Sequence, residues 1–597
     1  MRTLHRTVAA AAATALTATA LSAAVLAPAT TAAPAPHSAA AQKGHHAGNH
    51  GKGHGQKANP SGKTVELSPA GTHETGVFDT SAAEIPAFDA STDRLFVVNA
   101  ENGAVDVLDV DSAAAPTYSS TLEMAGVAAA DGSVIPAGST VNSVAVHGGI
   151  MAVSVEAPEK TDLGWVAFFQ TSTLAPLGAV RVGALPDSVA FSGGYAVVAN
   201  EGEPADDFSV DPEGSISVIT VPKSVKQFSR LSQDSVRTVD FRAFDEGTEL
   251  PEGVRVFGPD VQTPAGQPDA GYIARNLEPE YVTIDPTGRT AYVSVQEANA
   301  VAAVDLKSAS LKDLWALQLT DWSTEGKFDA SNRDSGIELR HWPVLGVPMP
   351  DGIDVYRHRG QDLILTANEG DSREWGDYVD TERVKDLTLC EAEYPNAAEL
   401  QKNAAELQKN ENLGRLNVLT DLGWDAEREC IAQLHTLGGR GFSVYTADGE
   451  RLFDSAGLVE QTIADLIAAG ELPAEAFNAN NDETPSFDSR SDDKGPEPES
   501  VVVGKVQGRT YAFLGLERIG GVMVFDITDP TAATFVDYVN ERNWDAQEGD
   551  EANYGDMGAE GLEFVPASES PSGVALLIVA NEVSGSTTVY EVNPTRK

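Results

Sequence analysis

The stretch PEYVTIDPTGRTAYVSVQEANAVAAVDL, residues 279–306, contains one complete copy of the unit that decides the fold. An acidic residue opens a short apolar strand, a second apolar strand after a turn leads to a Glu, and a third strand ends the unit. Similar units begin at residues 84, 142, 186, 350, 496 and 559, which makes seven in all. Short β-rich units separated by turn signals are typical of propellers. The sequence therefore predicts an all-β, seven-bladed β-propeller with helical insertions.

The two ends of the chain predict how the propeller closes. The last unit, residues 559–592, supplies three evident strands. A propeller closes well when one terminus lends a strand to the blade built by the other, because this removes exposed sheet edges. We therefore expect residues 65–67 to pair with residues 588–592.

Composition divides the 597 residues into three parts. A basic start, an Ala-rich apolar run and a small-residue region predict a secretory signal peptide over residues 1–35, with a membrane anchor as the disfavoured alternative. Residues 36–62 are rich in His and Gly and predict a disordered linker, in which metal binding is a minority interpretation. The propeller takes residues 63–597, with insertions at about 221–276, 320–348 and 375–496. We expect a secreted, extracellular protein without membrane contact after signal cleavage.

Cys390 and Cys430 lie in the third insertion and bracket a tandem duplication of NAAELQK. Good helix formers in the duplication predict a helical segment, and a disulfide at its base fits an exported protein. Two free thiols are the alternative. A zinc site is disfavoured because no His lies at a suitable spacing.

The formal net charge of −48 constrains the partners. Nucleic acid and anionic membranes are poor partners for such a chain, whereas cations are good ones. Acid-rich surfaces by themselves are usually solvated faces, so the charge supports a metal only weakly. We expect a monomer that binds a small molecule or another extracellular ligand, with a phosphate ester as one option.

The repeat also predicts where a metal would bind. The start of a first strand and the end of a second strand lie at the same edge of an antiparallel sheet, and both positions are acidic in most units. Closing the ring gathers these carboxylates around one channel mouth, where hard oxygen ligands suit Ca²⁺. The alternative is that the Glu residues cap turns. The predicted ligands are Asp187, Glu201, Glu280, Asp351, Glu369, Glu499, Glu517, Glu560 and Glu582.

The densest candidate for chemistry is ANEGDSREW, residues 367–375. Carboxylates and an Arg in one corner can hold a cation and meet an anionic group such as phosphate, whereas a salt-bridged turn is the alternative. Two further strings, TLGGRGFSVY and GLERIGG, each add an Arg. No GxSxG, HExxH, Walker or EF-hand motif occurs in the sequence. If the protein is an enzyme, the predicted catalytic residues are Asp351, Glu369, Asp371, Arg373, Arg440 and Arg518.

The strings ANEGDSREW, TLGGRGFSVY, GPEPES and LERIGGVMVFDITDP, in this order, resemble the choice-of-anchor I domain family. That family includes bacterial secreted proteins and mesenchyme-specific cell surface glycoproteins of animals, and the resemblance covers roughly residues 66–592. It implies a seven-bladed YVTN/WD40-like propeller. The chain departs from the family habit because no C-terminal anchor is evident. Some relatives are described as atypical alkaline phosphatases and others are likened to propeller phytases, yet membership fixes fold better than activity.

Two functions from different classes remain open at this point. The first is a secreted, cation-binding propeller that recognises an extracellular ligand through the acidic mouth. The alternative is a Ca²⁺-dependent phosphoesterase in which the metal polarises phosphate and activates water. Whether the protein is an enzyme is not decided by the sequence.

Overall fold

The computed structural model describes residues 64–376, 378–394, 403–481, 486–547 and 549–595. The predicted signal peptide and the His/Gly-rich linker lie outside these residues. Lys63–Lys597 form one compact unit. Among the described residues, no helix is long and apolar enough to cross a membrane.

The described residues form seven four-stranded antiparallel sheets, which we number 1 to 7 along the chain. Sheets 1 to 3 contain Pro86–Asp89, Arg94–Asn99, Ala104–Val110, Pro116–Glu123; Thr140–His147, Ile150–Glu156, Leu163–Gln170, Pro176–Ala184; and Pro186–Ser192, Tyr195–Asn200, Ser215–Thr220, Val236–Asp240. Sheets 4 and 5 contain Pro279–Ile284, Thr290–Val295, Ala300–Asp305, Ser310–Ala316; and Ile353–His358, Gln361–Asn368, Gly441–Thr446, Arg451–Asp454. Sheets 6 and 7 contain Pro498–Val506, Arg509–Leu516, Val522–Asp526, Thr534–Val539; and Ala559–Val565, Ala575–Asn581, Ser586–Pro594, Val65–Glu74. The all-β prediction is confirmed.

The N-terminal strand completes the last sheet. Val65–Glu74 pairs antiparallel with Ser586–Pro594, and Leu67 lies opposite Val592. The predicted pairing of residues 65–67 with the last strand is therefore confirmed. The strand joins residues more than 500 positions apart and covers the edge that sheet 7 would otherwise expose.

The seven sheets contact one another in sequence. The first strand of each sheet contacts the first strand of the next, and the first strand of sheet 7 contacts that of sheet 1. A separate cluster of buried apolar side chains lies between each neighbouring pair, including sheets 7 and 1. These side chains come from alternating positions of Val-, Ile- and Phe-rich strands, so each sheet buries both faces against neighbours. This architecture is propeller-like.

The connections between strands carry the remaining structure. Short α-helices lie at Arg242–Asp245, Tyr272–Arg275 and Ala404–Leu407, and a longer one at Leu458–Ala469. Single-turn 3₁₀ helices lie at Val225–Arg230, Gln233–Ser235, Val384–Asp386, Ala474–Ala476 and Glu551–Asn553. A small three-stranded sheet has Val344–Val347 between Thr320–Asp321 and Leu434–Leu437. Three two-stranded sheets pair Glu374–Trp375 with Tyr378–Val379, Thr381–Arg383 with Asn417–Leu419, and Trp424–Asp425 with Cys430–Ile431.

The second and third insertions share an apolar core, and the third insertion has a crosslink. Trp322, Phe328 and Trp342 pack there with apolar residues from the segment around Leu407. The predicted disulfide between Cys390 and Cys430 is confirmed, with a Cα–Cα distance of 5.2 Å. The span predicted for this insertion, about 375–496, also includes the third and fourth strands of sheet 5, and the span 221–276 includes the fourth strand of sheet 3. The insertion therefore separates the second and third strands of sheet 5.

Candidate metal centre

A β-bulge recurs where the first strand of a sheet begins. In sheet 3, Pro186 pairs with Asn200 and Val189 with Val198, so the stretch containing Asp187 carries one extra residue. The same shift occurs at the corresponding position of sheets 2, 4, 6 and 7. A bulged residue is released from ladder pairing and its side chain is re-aimed. The bulge therefore positions the first-strand acids, with Asn142 as the counterpart in sheet 2.

The structure brings all nine predicted metal ligands into one connected set of interacting carboxylates. Each of them interacts electrostatically with at least one other member of the set. Glu84 and Glu497 join them, and we call these eleven carboxylates the acidic mouth. Among the described residues, three trios offer oxygens that all lie within 4.8 Å of one another: Glu84, Glu560 and Glu582; Asp351, Glu369 and Glu499; and Glu369, Glu497 and Glu517.

In one part of the acidic mouth, the carboxylates form no ion pair with a basic side chain of the described residues. Burial raises the pKa of Glu201, Glu280, Glu499 and Glu560, and neighbouring carboxylates raise it further. No basic side chain is among the groups that contribute most to these shifts. Glu280, Glu499 and Glu560 each have a buried Oε2 without a hydrogen-bond partner in the described part of the chain. A desolvated carboxylate oxygen without a donor is unfavourable unless a cation meets it.

The trio of Glu369, Glu497 and Glu517 is compensated by the protein itself. The Lys494 ammonium donates to Glu369 and lies 3.2 Å from Glu497 Oε2. Arg518 Nε lies 3.1 Å from Glu497 Oε2 and 3.2 Å from Glu517 Oε2. Arg490 adds a third contact at 2.6 Å to Glu497 Oε1, and together these cations hold the pKa of Glu497 far below its usual range despite burial. The site that a metal would take in this trio is filled by an ammonium and two guanidinium groups.

Asp351 lies between the two parts. Its pKa is raised to about 7: burial raises it most, a hydrogen bond with Glu499 and the charge of Lys494 lower it, and Glu369 and Glu517 raise it. A shared proton between Asp351 and Glu499 is one way to accommodate two adjacent carboxylates, and a divalent cation is another.

Arg373 is placed differently from its predicted catalytic role. Its guanidinium is buried, forms an ion pair with Glu278 and donates to Asn276 Oδ1 at 2.6 Å. These contacts fix the loop after the second strand of sheet 5 against the loop before sheet 4. The geometry therefore gives Arg373 a structural role and provides no support for phosphate binding by this side chain.

The other predicted catalytic residues differ in whether their side chains are buried or exposed. Arg440 is buried, pairs with Glu460 at 2.9 Å and donates to the carbonyl oxygens of Asp329 and Ser491. It is therefore bound within the insertion. Arg518 keeps 21% of its side chain exposed while it pairs with the mouth, and Asp371 is exposed. Of the three predicted arginines, Arg518 alone combines exposure with a place in the acidic mouth.

The residues that compensate the mouth were missed by sequence reasoning. Arg490 and Lys494 lie in the polar run SFDSRSDDKGPEPE, residues 486–499, which looks like a solvated loop. Both are instead largely buried against the ends of sheets 5 and 6. The available signal was the basic pair just before GPEPES, where a loop returns to the start of a first strand.

The fold and the mouth define a class: an all-β, propeller-like domain with carboxylates concentrated at one end. The model of the choice-of-anchor I domain matches residues 84–530. Because this is most of the chain, the protein belongs to the choice-of-anchor I domain family, as the sequence strings predict.

Two curated relatives share part of this region. The chain is 30% identical over 285 residues to the mesenchyme-specific cell surface glycoprotein of Strongylocentrotus purpuratus, which covers 44% of this chain and 36% of that protein. It is 31% identical over 190 residues to gigasin-3a of Magallana gigas, which covers 30% of this chain and 64% of that protein. The matches thus span about a third of one relative and just under two thirds of the other.

Solved structures with similar topology are distant. Hydrazine synthase of Kuenenia stuttgartiensis gives a TM-score of 0.40 at 13% identity and covers 87% of this chain and 97% of its own. A streptogramin B lyase structure gives 0.37 at 8% identity and covers 89% and 98%. At these scores the likeness carries no argument about chemistry.

Proposed function

We propose that this protein is a secreted, seven-bladed β-propeller whose acidic mouth binds Ca²⁺ and presents it to an extracellular ligand. Seven four-stranded sheets, first strands in cyclic contact and an apolar cluster between every neighbouring pair support the closed seven-bladed arrangement. Family membership and the name of the sea urchin relative, a cell surface glycoprotein, support an extracellular location.

The observation that carries the metal proposal is the trio of Glu84, Glu560 and Glu582, in which Glu560 has no basic side chain among the charges that act on it most. Their oxygens lie within 4.8 Å of one another, which is the span that two ligands on opposite sides of one Ca²⁺ would have. Ser81 Oγ donates to Glu582 at 2.5 Å, whereas Glu560 Oε2 is buried without a donor. Glu280 and Glu499 present further oxygens without donors to the same mouth. Three or more carboxylate oxygens favour Ca²⁺ over softer metals.

A bound Ca²⁺ would also explain ligand recognition by so acidic a protein. Free carboxylates repel anions, but a Ca²⁺ with open coordination positions attracts a carboxylate, sulfate or phosphate. Arg518, partly exposed beside Glu517, can add a charge-assisted hydrogen bond to such a group. The monomer would thus bind a small or polymeric anionic extracellular ligand through the metal.

The exposure of Arg518 also favours the second candidate, Ca²⁺-dependent phosphoester hydrolysis. This function needs groups that neutralise phosphate charge, and Arg373 and Arg440 are already engaged with Glu278 and Glu460. Hydrolysis would therefore depend on the metal and on Arg518. A phosphomonoester assay with and without Ca²⁺ distinguishes this candidate from the binding function.

Calcium titration of the metal-free protein tests the proposal. A ligand bound only by the folded state stabilises it by about 2.7 kcal/mol at one hundred times its Kd, so the melting temperature should rise. Glu560→Gln should reduce this rise and weaken Ca²⁺ binding measured by calorimetry. Glu123→Gln, which removes an exposed carboxylate from the last strand of sheet 1, is the matched control and should leave both unchanged. A melting curve indifferent to Ca²⁺ would eliminate the metal and both candidate functions.

A further inference from the structure

A cavity of about 220 Å³ lies among the first strands of sheets 1, 2, 3, 4 and 7. It is therefore lined by the strands whose starting residues build the acidic mouth. Its exposed lining is mostly polar and comes largely from the backbone of these edge strands, and its ionisable lining groups are Glu563 and Tyr281. Neither belongs to the mouth.

Glu563 is a carboxylate without a partner. It lies three residues beyond Glu560 on the same strand, roughly 10 Å further along the sheet at the usual rise per residue. No hydrogen bond or ion pair engages its side chain within the described residues, and the nearest charges that act on it, Asp354 and Glu569, are also negative. Asp354 by contrast accepts hydrogen bonds from the Val355 and Val503 amides.

We propose that this cavity is a binding site for a small organic cation, with the ammonium group of the ligand paired to the Glu563 carboxylate. The site is distinct from the metal centre and does not depend on it.

The size and the walls of the cavity select this class of ligand. A single metal ion fills only a small part of 220 Å³, and one free carboxylate is too few ligands for Ca²⁺. A water molecule occupies roughly 30 Å³ of liquid, so the space corresponds to about seven water-sized groups and suits a small organic molecule. The first strands that surround the cavity are edge strands of their sheets, so their backbone carbonyl oxygens can accept hydrogen bonds from an ammonium group.

The charge around the cavity selects the sign of the ligand. No basic side chain lines it, and the sequence carries a net charge of −48. The negative field concentrates cations near the channel and repels anions. Burial raises the pKa of Glu563 to about 8, and Asp354 and Glu569 add to the shift. Affinity for an ammonium ligand should therefore rise as pH increases from 6 to 9, because binding needs the ionised carboxylate.

The first experiment compares three ligands of one shape by calorimetry at pH 8.5 with the metal-free protein. n-Butylammonium should bind, whereas neutral n-butanol and anionic n-butyrate should bind at least tenfold more weakly. Equal binding of n-butanol would mean that the cavity recognises only apolar shape. Absence of n-butylammonium binding, or affinity that falls with pH, would also overturn the proposal.

The second experiment separates this site from the metal centre. Glu563→Gln should weaken n-butylammonium binding by roughly tenfold or more, since a charge-assisted hydrogen bond is lost, and should leave the Ca²⁺-induced melting shift unchanged. Glu560→Gln should do the reverse. If both variants lose the Ca²⁺ response and neither changes amine binding, Glu563 belongs to the metal path and the proposal fails.

A third variant keeps the carboxylate and removes the space. Ala145 lines the cavity from the first strand of sheet 2, so Ala145→Leu should fill it and abolish amine binding. Retention of the Ca²⁺ response would show that this variant is folded. Unchanged amine binding in folded Ala145→Leu protein would place the ligand elsewhere and contradict the assignment.

Discussion

Two parts of the acidic mouth each bring three carboxylates close together, but they differ in how many basic side chains contact those carboxylates. In the compensated part, Glu369, Glu497 and Glu517 contact Lys494 and two arginines. In the open part, which comprises Glu84, Glu560 and Glu582, Ser81 donates to Glu582 and the charge of Arg518 also acts on Glu582, whereas Glu560 Oε2 is buried without a hydrogen-bond partner among the described residues. Both trios hold oxygens within 4.8 Å, so proximity of carboxylates does not by itself identify a metal site.

The difference comes from the connection between sheets 5 and 6. Its last part, residues 486–497, leads to the first strand of sheet 6 and places Arg490 and Lys494 over the ends of sheets 5 and 6. The open part adjoins sheets 7 and 1, and among the described residues its Glu560 forms no ion pair with a basic side chain. A Lys side chain that stays in place recruits no ligand, whereas a Ca²⁺ ion with open coordination positions can. In the function we propose, the compensated part of the mouth stabilises the fold and the open part binds the cation.

The largest expected effect follows from removing the internal ammonium. Lys494→Met leaves Glu369 and Glu497 buried beside each other with less compensation, and breaking a buried ion pair costs roughly 3–5 kcal/mol. Unfolding in denaturant should show this loss in metal-free protein. Added Ca²⁺ should recover part of it, because the trio then resembles the open part.

Lys409→Met is the matched control for that variant. Lys409 pairs with Glu406 on the surface, where solvent screens an ion pair and its contribution to stability is small. If Lys494→Met lowered the free energy of unfolding as little as Lys409→Met does, the distinction between the two parts would be wrong.

The next effect is a difference in sign between two identical substitutions. Glu497→Gln removes the shared partner of three cations and should lower the free energy of unfolding by roughly 1–3 kcal/mol. Glu560→Gln removes one of several repelling carboxylates and should raise it by about 1 kcal/mol in metal-free protein. Denaturant unfolding in a chelating buffer measures both values. Equal signs would mean that charge compensation does not distinguish the two parts.

The sequence predicts the fold more fully than the mouth, for a physical reason. Strand periodicity and turn residues are local, so the repeat shows the sheets and even the strand exchange that brings Leu67 opposite Val592. The position of acidic residues is also repeated, which identifies the carboxylates of the mouth. Compensation is not local: Lys494 reaches Glu369 across 125 positions of sequence, and no spacing rule connects them.

The predicted catalytic arginines also show that contacts between residues distant in sequence cannot be predicted from local motifs. Arg373 and Arg440 lie in strings that look like ligand-binding loops. In the structure, however, Arg373 forms an ion pair with Glu278, and Arg440 forms one with Glu460. Only packing decides whether such a guanidinium faces solvent or a buried acid. The bulge that orients Asp187 and its counterparts cannot be predicted from the sequence either, because it depends on strand register.

A smaller effect concerns pH. Burial raises the pKa of Asp351 to about 7, above its value near 4 in an unfolded chain, so the folded state binds the extra proton between these values. Stability in metal-free protein should therefore decrease as pH rises through about 7. Melting temperatures at pH 5.5, 7.0 and 8.5 measure this trend, and Asp351→Asn should flatten it. Ca²⁺ should stabilise most at pH 8.5, where it no longer competes with protons; a larger Ca²⁺ effect at pH 5.5 would contradict the scheme.

The smallest expected effect comes from the one bulge position that carries an amide. Asn142 Nδ2 donates to Glu156 Oε2 at 3.3 Å, so sheet 2 contributes a donor where sheets 3, 4, 6 and 7 contribute an acid. Asn142→Asp replaces this donor by a like charge and should cost roughly 0.5–1.5 kcal/mol in metal-free protein. Asn142→Ala loses the same hydrogen bond without adding charge, so the difference between the two variants isolates the repulsion. That difference should shrink when Ca²⁺ is added and persist when choline chloride replaces it at equal ionic strength. Equal shrinkage in both salts would mean that screening, rather than a bound cation, relieves the open part of the mouth.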